Sequence, residues 1–262
     1  MSNQLQLPYQ DVVGSESPVQ KAIKLLRDIA NEKPITIANT EASKSASALI
    51  LVHLLGLMDA AGLINCRGYH SAAITLFRSM EDALDCFAAV SISNEAAVKW
   101  TDGSLKSSDA AKLWIENLKI KFNTNFSITE YRKSVRLFLN KYSHCTPNQT
   151  HWNLYLESIG NHKCTIEINT LPLVINLNEY HIDRYICAHL YELIEIVLIV
   201  YKQYWEANPH IKGQIEVLQG DIKSIIEVFL SDIEKNNIDI TVAPELKRIP
   251  ELNIKGNKGE EK

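Results

Sequence analysis

The chain has 262 residues, 46% of them hydrophobic and 22% charged, enough for one sizeable core without requiring a second domain. A formal net charge of −4 excludes a global attraction to nucleic acid, so contact with RNA or DNA would have to use a local basic patch, for which the Lys and Arg of residues 112–141 are the candidates. Five scattered cysteines, an odd number, argue against a disulfide framework, and the opening MSNQLQLPYQ shows no basic and apolar leader pattern, so a reducing, cytoplasmic setting is expected.

Helical periodicity runs through most of the chain. Residues 18–31 place Ala22, Leu25, Leu26 and Ile29 at helical spacing, with Pro18 suited to the first turn. After a turn at Pro34, Asn39 or Thr40 caps a long helix to about Gly62, and a break near Cys66–Gly68 leads into a helix from about Tyr69 to Ile92. These two should form an antiparallel hairpin at the heart of the fold. Asn94 caps a short helix ending at Thr101-Asp102-Gly103, Ser107 or Ser108 starts one through Lys121, and Ser127 starts another carrying YRKSVRLFLNKYSHCTPN, residues 131–148. KCTIEIN and LPLVINL then alternate apolar and polar residues, predicting a β-hairpin over about 163–177. Helices resume from about Asn178 to Glu206 and Ile211 to Lys235, with Pro209 forcing a break. The fold class is therefore mainly all-α: an antiparallel up-and-down helical bundle over 1–236 with a small hairpin insertion, and an extended, partly disordered tail over 237–262.

Two apolar stretches imitate membrane spans. SALILVHLLGLMDAAGL contains His53 and Asp59, and YICAHLYELIEIVLIVYKQYW contains Glu192 and Glu195, groups that are costly at a bilayer centre. Both read as core helices, and no membrane association is expected.

Two helices could carry chemistry. In YHSAAITLFRSMEDALDCFAAV, Ala73, Leu76, Phe77, Met80, Leu84 and Phe87 make the buried stripe, with Glu81 at its border. Arg78, Glu81 and Asp85 share a flank, where they could grip a phosphate, orient a base or form a simple ion pair. In the helix from Ser127, the apolar stripe is Ile128, Tyr131, Val135, Phe138, Leu139 and Tyr142; Arg132, Arg136, Asn140 and Ser143 line the adjoining flank. His144 falls at the helix end, where carbonyl dipoles favour an imidazolium. That position is equally an ordinary C-terminal one before Pro147. The glycine-rich phosphate loop, the Cys-x-x-Cys pair and the His-Glu-x-x-His helix are all missing. His144 and His151 are poorly spaced for metal. His181 and His189, with Glu192 and Glu195, read as the polar side of their helix at the rim of the core, and the four tryptophans as core.

Arg-x-x-Glu in LFRSMEDALD, followed by a Tyr-rich basic helix ending in Ser and His, resembles bacterial helical proteins of the HEPN superfamily (higher eukaryotes and prokaryotes nucleotide-binding) over roughly residues 45–205. The resemblance implies a helical bundle, commonly a homodimer, in defence or toxin-type systems. It also implies metal-independent RNA cleavage with the 2′-hydroxyl as nucleophile and no cofactor. His144 would then be the acid or base, with Arg136, Lys141 and Arg78 facing phosphate. Glu81 would orient His144 or fix Arg78, and Asn140 and Ser143 would bind phosphate or ribose. Seven residues lie between Arg136 and His144, one more than that pattern, and Lys141 precedes Tyr142-Ser143-His144. The alternative is a non-catalytic helical module that binds a protein partner or dimerises.

Overall fold

A computed structural model describes residues 14–122, 154–160, 163–168 and 176–235. In chain order these form α1 (Pro18–Asn31), α2 (Glu41–Asn65), α3 (His70–Ile92), α4 (Asn94–Thr101), α5 (Ser107–Phe122), β1 (Leu154–Gly160), β2 (Lys163–Ile168), α6 (Asn176–Val200), α7 (Lys202–Ala207) and α8 (Pro209–Lys235). The fold is a helical bundle.

The Ser17 side chain starts α1 by accepting the Gln20 N–H at 3.1 Å, ahead of Pro18 in the first turn, where a missing N–H costs nothing. Its buried residues Val19, Ala22, Ile23, Leu26, Ile29 and Ala30 form one stripe. Thr40 caps α2 by accepting the Ser43 N–H at 3.2 Å, and α2 runs one turn beyond the expected end, to Asn65. The corner to α3 is made by Gly68, whose φ of 83° is a left-handed value that glycine adopts without a Cβ penalty. This tight reversal lays α3 back along α2, the most extensive helix pairing in the bundle. Between them lie Leu51, Leu54, Leu55 and Met58 of α2 and Phe77, Met80, Leu84 and Phe87 of α3, all buried. Burying each such side chain contributes about 1.5–3 kcal/mol before its entropy cost is counted. On the remaining sides α1, α4 and α6 pack against α2, α5 and α6 against α3, and α8 against α1 and α6.

Several boundaries differ from the sequence reading. The N-cap of α4 is Ser93, which accepts the Ala96 N–H at 3.3 Å; Asn94 instead accepts the Thr40 hydroxyl at 2.7 Å, tying the start of α2 to that of α4. Pro209 opens α8 rather than merely breaking the chain before it, as suits a residue without an N–H. The single helix expected over 178–206 is interrupted at Tyr201, leaving α6 and α7. Tyr201 itself is buried, edge-on to Phe87 with ring centres 6.0 Å apart.

The hairpin expected over 163–177 is not seen. Lys163–Ile168 pairs antiparallel with Leu154–Gly160 upstream, placing Leu154 opposite Ile168 and Leu156 opposite Ile166, and Asn176 and Leu177 belong to α6. Pairing with LPLVINL would bring Pro172, with no N–H, into the ladder. The helix expected from Ser127 and the tail from 237 lie outside the described residues.

Candidate functional site

The packing of α6 against α3 brings together side chains that the sequence reading kept apart. Glu81 does not sit at the border of the α3 stripe: it is fully buried, beside Met80 and Leu84. Facing it from α6 are Tyr185 and His189, one turn apart and therefore on one side of their helix. Both are fully buried, so His189 is not at the rim of the core. The Tyr185 hydroxyl donates to Glu81 Oε1 at 2.9 Å, and His189 Nε2 meets the same oxygen. Phe77, Tyr185 and His189 stack in sequence, with ring centres 3.9 and 4.1 Å apart, which closes one side of the cluster with aromatic surface.

The hydrogen-bond roles constrain its protonation. His189 Nδ1 lies 3.2 Å from the Tyr185 carbonyl, which can only accept, so Nδ1 carries a hydrogen. The Nε2–Oε1 contact is then a hydrogen bond only with a proton between the two atoms. A buried pair of this kind is costly to build and more costly to break, because either partner alone is left uncompensated in a low dielectric.

A second cluster surrounds the corner between α2 and α3. Asn65 closes α2, His70 opens α3, and Asp183 lies on α6; all three are buried. The Asn65 side-chain amide donates to Asp183 Oδ1 at 2.9 Å, and its oxygen receives the Nδ1 hydrogen of His70 at 2.7 Å. Arg184, next to Asp183, is fully buried. A third link runs from Trp114 on α5, whose indole N–H donates to Asp85 Oδ1 at 2.7 Å. Asp85 is thus committed to helix docking, and Trp114 belongs to the core as expected.

Arg78 and Glu81 are one turn apart on α3 yet have different surroundings. Arg78 forms a 3.3 Å ion pair with Asp82, and its side chain is 24% exposed. Its Nη1 is buried and has no hydrogen-bond partner among the described residues. The remaining site residues expected from sequence, Arg136, Asn140, Lys141, Ser143 and His144, lie outside the described residues. Among the described residues no group of three or more His, Cys, Asp or Glu side chains is placed to hold a metal ion. A groove of about 730 Å³ between α1 and α8, lined by Leu25, Val217 and Leu218 beneath Lys21, Lys24 and His210, shares no residue with these clusters.

Sequence reasoning missed Tyr185, His189, Asn65, His70, Asp183 and Arg184. The available signal was Tyr-x-x-x-His in the middle of an apolar helix, where both groups must face the same way. Comparisons with family models, with characterised proteins and with solved structures found no match.

Proposed function

We propose that the protein is a HEPN-like, metal-independent RNA-cleaving or RNA-binding factor of the kind that acts in defence or toxin-type systems. The observation that supports this reading is Arg78, a partly exposed guanidinium on α3, one turn from the buried Glu81 that meets Tyr185 and His189. A cation facing phosphate is part of the equipment that phosphodiester cleavage through a 2′-hydroxyl requires. In this reading Arg78, Arg136 and Lys141 face phosphate, Asn140 and Ser143 bind phosphate or ribose, His144 transfers protons, and Glu81 maintains the local charge balance. The test incubates purified protein with labelled total RNA in EDTA, alongside His144→Ala and Glu81→Gln. Cleavage by the native chain that His144→Ala abolishes is the expected result; equal degradation by both, or none by either, sinks cleavage.

A second reading, a non-catalytic module that binds a protein partner or a second copy, is favoured by one specific fact. Glu81, Tyr185 and His189 are fully buried, so their polar groups serve the bundle's own interior. Under that reading Glu81→Gln alters stability while RNA is untouched by every variant.

A further inference from the structure

The middle of α2 is apolar on most of its circumference, interrupted by His53 and Asp59. Its most apolar window has a mean hydropathy of 1.9, yet only half of that window is buried, although a helix so apolar is normally covered on most sides. The uncovered part is a continuous line. Leu49 is 62% exposed, Val52 41% and Leu63 47%; Ala60 is half-buried, and a Cβ added at Gly56 would meet no atom within 4 Å. These residues recur at the three- and four-residue spacing that keeps them on one side of the helix.

The line is also symmetric about Gly56. Leu49 and Leu63 stand seven residues before and after it, Val52 and Ala60 four, and His53 and Asp59 three. We infer that this face of α2 binds the same face of a second copy of the chain, antiparallel, with the twofold axis at Gly56. Leu49 then meets Leu63 of the other copy and Val52 meets Ala60, while Gly56 lets the two helices approach closely. Exposed His53 faces Asp59, which Arg27 and Gln20 hold in place with its side chain 29% exposed. Antiparallel packing also sets opposite helix dipoles side by side. A lipid surface is the poorer occupant, because His53 and Asp59 would enter hydrocarbon with the stripe. The stripe is about 21 Å long at 1.5 Å per residue. One stripe along a single helix is a small contact beside the roughly 800 Å² per partner of a standard interface, so a weak dimer is expected. This inference does not depend on the RNA reading, and either can fail alone.

Sedimentation velocity on the full chain tests it over a micromolar concentration series. The native chain should shift from monomer to dimer, and Leu49→Lys, Leu63→Lys and Gly56→Leu should each move the midpoint at least tenfold higher with unchanged helical circular dichroism. Orientation is read by oxidative cross-linking: a mixture of Leu49→Cys and Leu63→Cys chains should cross-link above the native background, and neither variant should do so alone. A native chain that stays monomeric, a dimer indifferent to both lysines, or flotation with phosphatidylcholine–phosphatidylglycerol vesicles that Leu49→Lys abolishes would overturn it.

Discussion

Two buried polar regions of the bundle solve the same problem at different cost. At the start of α2, Ser43 donates to the Val90 carbonyl at 2.5 Å and lies 2.7 Å from the Thr36 hydroxyl, and one turn on, Ser47 accepts from Tyr201 at 3.3 Å. These are neutral hydroxyls, satisfied locally, each bond worth about 0.5–1.5 kcal/mol. Between α3 and α6, by contrast, Glu81 and His189 bring a potential charge pair into complete burial and depend on each other and on Tyr185. The neutral region tolerates the loss of a member, whereas the ionisable one does not, because a charge stripped of its partner has no water to turn to.

Breaking the ionisable cluster should therefore have the largest effect. His189→Ala leaves Glu81 without its nitrogen partner and should cost about 3–5 kcal/mol in urea denaturation. Combining Glu81→Leu, Tyr185→Phe and His189→Leu should cost less than the sum of the three single changes, since each single change disturbs contacts that the others share. A strictly additive result would show that the three do not act as a unit.

Tyr185→Phe keeps the ring between Phe77 and His189 and removes only the donor to Glu81, for an expected loss of about 1.5–3 kcal/mol. A loss below that range would mean that the hydroxyl bond is dispensable.

The neutral region can be probed by pH. Burial pushes the Tyr201 phenol up to about 12 from an ordinary value of 10.0, with the Ser47 hydrogen bond acting weakly in the opposite direction. The unfolded chain thus ionises first: stability is intact below pH 10 and is lost as pH rises from 10 toward 12, by about 2–3 kcal/mol for a two-unit shift. Tyr204, pushed to about 12 by burial and then by the Glu32 carboxylate, adds to the same trend. Tyr201→Phe should flatten the alkaline decline while costing about 1 kcal/mol at neutral pH for the lost bond. An unchanged slope would place the alkaline transition elsewhere.

The smallest effect has the opposite sign. Gly220 lies inside α8, and a Cβ there would meet no atom within 4 Å; Gly220→Ala should raise stability by about 0.5–1 kcal/mol in the same denaturation assay.

Helix content was legible because spacing and capping are local. Ser17 and Thr40 cap where a short polar side chain precedes an apolar run, and Phe77, Met80, Leu84 and Phe87 lie inside as their spacing requires. Arg78 and Glu81 were recognisable as neighbours on one turn for the same reason. Their partners were not. Glu81 is separated by more than a hundred residues from Tyr185 and His189, and the rotation of α6 about its axis, set by its packing on α3, decides whether those two side chains reach a carboxylate or solvent. The misplaced hairpin has a similar origin, since strand alternation marks β2 but only pairing selects its partner.

The sequence by itself determined a mainly helical chain, the caps and ends of α1 to α3 to within a turn, and the apolar stripes of α1 and α3. Tertiary structure alone decided that Glu81 meets His189 and Tyr185 and that Asn65 joins His70 to Asp183. It also decided that one side of α2 has no neighbour among the described residues. Periodicity specifies which side of a helix is apolar, but the element that covers it is chosen by the packing of the whole chain.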